Sequence, residues 1–208
     1  MNQYFVRLPL SRKPDPKILT EETRIRAGIG VDHWDTRVHR VPDRCAHKKT
    51  IRDYIRAIHV HDADGLGLVL YGHVESGKTS LGSIVLRNAL ARGARVFSIR
   101  CRTMINRLLS KHPGKLPLSE IPLMQGLLGV NFLMIDEYTP DPMEWKQALF
   151  EEVVASRCAD RKPTIVTTNI DKDELFQFAW FRSRMQRHFL GVDVVDIHWR
   201  ESPPVEEV

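Results

Sequence analysis

No run of apolar residues in this 208-residue chain approaches the roughly 20 needed to cross a bilayer. The opening stretch, Met1 to Leu10, carries Gln3, Arg7 and Pro9 and so lacks the apolar centre of a signal peptide. Together these absences predict a cytoplasmic protein with no membrane partner. Cysteine is scarce as well. Cys45, Cys101 and Cys158 are odd in number and far apart, which excludes a disulfide framework. Cys45 with His47, and His59 with His61, are isolated pairs, whereas zinc takes about four ligands at matched spacings. Ordinary surface or core roles are expected for all four. Repeats and low-complexity arrays are absent. What remains is the composition of one globular domain, 42% hydrophobic and 27% charged. The formal net charge of +5 permits nucleic-acid binding without showing it.

Residues 1–30 are polar, hold Pro9, Pro14 and Pro16, and show no period. They read as a flexible arm that docks a partner through Phe5, Leu8, Leu10, Ile18 and Leu19, or folds back on its own domain. Residues 31–200 form the expected domain, and 201–208 a tail with Pro203-Pro204. Within the domain strands alternate with helices. Leu66–Tyr71, Arg95–Ile99, Asn131–Ile135, Thr164–Thr168 and Asp193–His198 read as strands. Leu81, Ile84, Val85 and Ala89 fall at helical spacing before Gly93. Trp145, Leu149 and Val153 do so after Pro142, and Met104, Ile105, Leu108 and Leu109 suggest another helix. This pattern predicts an α/β fold in which a five-stranded parallel sheet is sandwiched by helices. In such sheets ligands sit at the carboxyl ends of the strands.

The loop after the first strand reads Gly72-His73-Val74-Glu75-Ser76-Gly77-Lys78-Thr79. It matches G-x-x-x-x-G-K-[ST] at every defined position, with a strand before and a helix after, as a P-loop NTPase requires. The two glycines let the backbone wrap a phosphate, and successive N–H groups at a helix start face the anion. Lys78 is suited to the β- and γ-phosphates and the Thr79 hydroxyl to Mg²⁺. Residues 72–79 with Ser80 are the expected nucleotide contacts. Glu75 stands where many such loops have glycine, and a carboxylate there is tolerable only if it points to solvent. By itself the loop admits either ATP or GTP.

The third strand ends in Asp136-Glu137. Asp136 is suited to the Mg²⁺ shell, and Glu137 to polarising the attacking water. A GTPase would carry D-x-x-G here and N-K-x-D for guanine. Asp136-Glu137-Tyr138-Thr139 has no glycine, and Asn169-Ile170-Asp171-Lys172 has the wrong order. ATP with Mg²⁺ is therefore the expected pair. Asn169, ending the fourth strand, either senses the γ-phosphate or caps the helix near Asp171.

Taken together, these motifs resemble the AAA+ ATPases of the DnaC-type helicase loader and IstB-type transposase-helper group, over roughly residues 60–200. The resemblance is carried by Gly67–Gly72, Asp136-Glu137, Trp145, Leu149–Val154 with Arg157, Pro163–Asn169, Glu174-Leu175, Ser183-Arg184-Met185 and Arg200. It implies an AAA+ (ASCE) fold and an ATP hydrolase with Lys78, Glu137, Asn169 and Arg184 as catalytic residues. It implies that Arg184 is an arginine finger for a neighbouring subunit, with Arg182 and Arg187 as rivals, and that Arg200 is a second sensor at the nucleotide. The implied function is loading of a hexameric replicative helicase onto single-stranded DNA by an ATP-dependent oligomer, such as a bacteriophage would encode. A transposition helper is the alternative, and a small P-loop kinase a third. Arg100, Arg102, Arg107 and Lys111, after the second strand, are the expected DNA contacts. Two departures stand out: Glu75 replaces the family's usual glycine, and no separate N-terminal domain precedes residue 31.

Overall fold

The computed structural model describes residues 9–43, 45–109 and 120–194. Five strands form one parallel sheet: β1 (Gly67–Tyr71), β2 (Val96–Arg100), β3 (Phe132–Tyr138), β4 (Thr164–Thr168) and β5 (Phe189–Asp193), in the order β2-β3-β4-β1-β5. The helices are α1 (Glu21–Arg26), α2 (Ala46–Arg56), α3 (Ile58–Asp64), α4 (Lys78–Leu90), α5 (Cys101–Leu109), α6 (Glu120–Gly129), α7 (Glu144–Ala159), α8 (Lys172–Leu175) and α9 (Ala179–His188). The α/β expectation of a five-stranded parallel sheet between helices holds.

Side chains of β1 alternate between two cores, as period two requires. Leu68 and Leu70 join Ile51, Tyr54 and Ile58 of α2 and α3 and Leu81, Ile84 and Val85 of α4. Val69 and Tyr71 join Met104 of α5, Phe150 and Val153 of α7, and Phe181 of α9. Both faces are covered, so β1 is buried throughout. The helix expected after Pro142 is α7, but Trp145 stands 53% exposed while Phe150 and Val153 are buried. Among the described residues, no helix is long and apolar enough to cross a membrane.

Two readings change. β5 is Phe189–Asp193, four residues before the expected Asp193–His198. It pairs Gly67–Tyr71 residue for residue. Residues 195–198 lie outside the described residues. Second, much of the stretch read as an arm enters the core: Leu10, Ala27 and Ile29 are buried with α4 and β1. Ser11 N–H donates to Arg92 O (3.1 Å), and Ser98 N–H of β2 to Ala27 O (2.8 Å). The segment thus covers part of the outer edge of β2, which would otherwise offer unpaired backbone groups. Ile18 and Leu19 are half-buried, and Phe5 and Leu8 lie outside the described residues.

At the amino-terminal end of the sheet, Arg157 in the last turn of α7 is fully buried. Its Nε donates to Thr164 Oγ1 (2.9 Å), Nη1 to Leu127 O (2.7 Å) and Val130 O (3.0 Å), and Nη2 to Asn131 O (3.0 Å) and Pro163 O (2.8 Å). One planar guanidinium therefore binds the end of α6 to the starts of β3 and β4, a geometry an ammonium cannot copy. Arg157→Lys should cost about 3–5 kcal/mol, because carbonyls are left unpaired beside a buried charge. The measurement is thermal unfolding, where a fall in midpoint on the order of 10 °C is expected.

Candidate active site

The phosphate loop joins β1 to α4. Gly72 has φ +137°, and a side chain there would strike Val194 O at 2.4 Å. Gly77, just before α4, sits at φ +89°, also in glycine's territory. Glu75 adopts φ +64° with its side chain exposed. That explains why glycine suits this position, and it satisfies the condition that the carboxylate point to solvent. Lys78 is buried, and its ammonium donates to Gly72 O (2.9 Å), His73 O and Ser76 Oγ (3.2 Å). Burial lowers its pKa from the ordinary lysine value, while the charge of Asp136 opposes the shift. A desolvated cation ringed by peptide oxygens is well matched to phosphate oxygens.

A cleft of about 490 Å³ opens over this loop, at the carboxyl ends of the strands. Its lining includes Val74, Glu75, Gly77, Lys78, Thr79, Asp136, Glu137 and Asn169, so the loop and the two strand ends expected to hold the chemistry meet in one place. Gly72, His73 and Ser76 shape the loop behind the lining. Ser80 lies in the first turn of α4, and its Oγ is 3.2 Å from His33 Nδ1.

Asp136 is the centre of the cleft's hydrogen bonding. Its Oδ1 accepts from Thr79 Oγ1 (2.9 Å) and from Thr167 Oγ1 (2.6 Å). The Thr79 proton is thus engaged by the carboxylate, which leaves the hydroxyl's lone pairs for a cation. A hydroxyl and a carboxylate side by side fit Mg²⁺, which takes few protein oxygens and keeps water and phosphate for the rest. No cluster of three or more His, Cys, Asp or Glu that could hold a metal occurs among the described residues.

Glu137 sits inside β3, where the register slips between Ile135 and Tyr138 and φ is +57°. Its N–H donates to Thr167 Oγ1 (2.9 Å), so one threonine fixes both the Asp136 carboxylate and the Glu137 backbone. A left-handed glutamate is a strained residue, and such strain gathers where a side chain must be aimed. Glu137 Oε2 lies 3.5 Å from Arg100 Nε on β2.

Asn169 lines the cleft, whereas α8 is capped by Asp171, whose Oδ1 accepts from Glu174 N–H (2.8 Å). The capping alternative for Asn169 therefore falls away. Arg184 is outside the lining. It is half-buried on α9, its Nη1 donating to Ser183 Oγ (3.1 Å), while Arg182 and Arg187 are exposed. Burial, and then the charges of Arg184 and Arg187, lower the His188 pKa. Arg200 and Lys111 lie outside the described residues.

Four lining residues escaped sequence reasoning: His33, Arg100, Thr167 and Thr168. His33 comes from a 3-10 turn, Val31–His33, held by Arg87 Nη1 donating to Thr36 O (2.6 Å) and His33 O (3.4 Å). Nothing local marks it. Arg100, read as a DNA contact, is a cleft residue here, and its register partner is Asp136. Thr167 and Thr168 end the strand already singled out, so their place in the lining was the most accessible of the four.

The fold is shared with solved structures of replication proteins. Structures sharing the fold include the DnaC helicase loader, at 20% identity, TM-score 0.61, covering 78% of this chain and 99% of that one. AMPPCP-bound DnaA from Aquifex aeolicus aligns at 17% identity and TM-score 0.59, over 72% of this chain and 46% of that chain. DnaA bound to AMPPCP and single-stranded DNA aligns at 14% and 0.60, over 79% and 50%. The chain thus spans about half the length of the DnaA structures it matches. No protein-family model and no curated protein matches the sequence. At these identities the likeness shows the fold, and it agrees with the DnaC-type resemblance of the motifs.

Replacing Thr167 by Val removes the hydroxyl and keeps the shape. The expected outcome is unchanged affinity for a fluorescent ATP analogue with turnover reduced about 10²-fold, the lower end of what a positioned acid–base group contributes. Glu137→Gln should retain binding with a larger loss. Phosphate release and analogue titration, run side by side, check both.

Proposed function

We propose that this chain is a Mg²⁺-dependent ATPase that assembles on single-stranded DNA and delivers a hexameric replicative helicase. The observation that carries the catalytic part is the meeting of the phosphate loop, Thr79, Asp136, Glu137 and Asn169 in one cleft. The loading part is supported by the motif resemblance and by the likeness to the DnaC helicase loader over nearly its whole length.

In this reading the loop N–H groups and Lys78 bind the β- and γ-phosphates. Thr79 and Asp136 would hold Mg²⁺, which would stabilise charge developing on the phosphate oxygens. Glu137 accepts the proton of the attacking water at its carboxylate, positioned by the Thr167 bond to its backbone. Asn169 orients that water or the γ-phosphate. Arg184 serves the cleft of a neighbouring subunit, because it lies outside the lining of its own. Arg200 would act as a second sensor. DNA-bound DnaA is consistent with an AAA+ fold acting on a single strand.

The decisive test is delivery of the replicative helicase to single-stranded circles carrying one annealed labelled oligonucleotide, read as displacement of that strand. Wild-type protein with ATP should start unwinding, and Glu137→Gln should stall it. Retention of a transposase instead of the helicase on the immobilised chain would replace this reading with a transposition helper.

Action of Arg184 in trans predicts complementation. Arg184→Ala should bind ATP and turn over about 10³-fold more slowly, the scale of an arginine finger. Lys78→Ala should bind none. Mixed, they should recover part of the turnover, rising with protein concentration, since the intact cleft of one meets the Arg184 of the other. Co-assembled mixtures that stay inactive would favour the monomeric kinase.

A further inference from the structure

The chain's positive charge is unevenly placed. Between Arg37 and Arg56 the sequence holds seven basic residues and two acidic ones, an excess of five that equals the net charge of the whole chain. Of the 31 basic and 26 acidic residues in total, those outside this run therefore cancel. The run culminates in α2. One face of that helix, with Ile51, Tyr54 and Ile55, is buried in the core shared with α4. The opposite face presents Lys49, Arg52 and Arg56, all exposed, at spacings of three and four that align them along the helix.

Lys49 and Arg56 are about 10 Å apart along the axis, at 1.5 Å per residue. That spans about three phosphate steps of a nucleic-acid strand, at 3.4 Å of rise each. One carboxylate shares the face: Asp53 is exposed and pairs with Arg56 at 3.6 Å, so the three cations and this acid leave it a net charge of +2. Asp43 engages Lys48 at 2.8 Å, a side chain only 14% exposed and off the face, and its charge also reaches Arg52. No large hydrophobic residue of this run is exposed among the described residues, so the face has nothing to insert into a lipid surface or an apolar groove. α2 packs on the α4 side of the sheet, whereas Arg102 and Arg107 belong to α5 on the other side. The face is therefore separate from the DNA contacts expected after β2.

We infer that the exposed face of α2, through Lys49, Arg52 and Arg56, binds the phosphate backbone of nucleic acid. Recognition is by charge and spacing and carries no base sequence. The surface lies outside the nucleotide cleft, so it stands whether or not the helicase-loading reading does.

The test is fluorescence anisotropy with a labelled mixed-sequence oligonucleotide, single-stranded or duplex, titrated from about 50 to 200 mM salt. The triple variant Lys49→Gln, Arg52→Gln, Arg56→Gln should bind on the order of 10²-fold more weakly at 0.1 M salt than wild type. Its salt slope should be shallower by about 2.7 for duplex or about 2.1 for single strand, so the slope change identifies the form engaged. Basal ATP turnover without DNA should not change. Arg52→Gln alone should give about one third of the slope change, which keeps the test valid if the triple variant folds poorly. Three results would overturn the inference: equal affinity and slope for variant and wild type, loss confined to Arg102→Gln with Arg107→Gln, or wild-type binding to phosphatidylserine vesicles but not to either oligonucleotide.

Discussion

One buried guanidinium sets the level of the sheet's central strands. Arg157 gathers carbonyls from the end of α6, from the residue before β3 and from the residue before β4, with no solvent to share the load. Because a strand rises about 3.3 Å per residue, aligning two strand starts also aligns their ends. β3 and β4 run in register from Leu133 opposite Thr164, and their far ends bring Asp136 beside Thr167. A residue at the amino-terminal edge therefore helps place chemistry at the carboxyl edge. The five acceptors also explain why arginine, rather than lysine, stands there: only a planar fork reaches carbonyls that diverge from three segments.

At the carboxyl edge the sheet departs from regularity where function would need it. β3 slips register between Ile135 and Tyr138 and turns Glu137 left-handed, which aims its side chain into the cleft instead of into the helix layer. Thr167 compensates by accepting the displaced Glu137 N–H while donating to Asp136. The phosphate loop carries a second left-handed carboxylate, Glu75, and both glutamates are exposed and line the cleft. Two glutamates with the same backbone conformation are set apart by what surrounds them. Glu137 is tied to β4 through Thr167 and to Arg100 on β2, whereas Glu75 sits on the phosphate loop.

Charge is divided in the same manner. The cleft mixes Lys78 and Arg100 with Asp136 and Glu137, so its cations have local anionic partners. The chain's excess charge sits instead before β1, on and around α2. Local pairing suits a site that must hold one phosphate chain in one geometry. An unbalanced stripe suits a longer polyanion, whose counterions are released on binding.

The sequence by itself determined what depends on neighbours along the chain. The loop Gly72–Thr79 between strand and helix, and the carboxylates closing an apolar strand, are local patterns, and the structure brings them together in one cleft. Strand alternation was enough for the five-stranded parallel sheet, with the first four strands placed within a few residues. Contacts between distant residues were decided only by the tertiary structure. His33 meets Ser80 across 47 positions, and Arg100 meets Glu137 because β2 and β3 are adjacent. Arg157, visible as a family position, gained its physical role only when three segments converged on it. Phe189–Asp193 was missed as a strand because Gly191 lies inside it and weakens its pattern, and it is selected by pairing with β1. Periodicity reports what a segment can form alone, and pairing and burial decide which of those possibilities the folded chain uses.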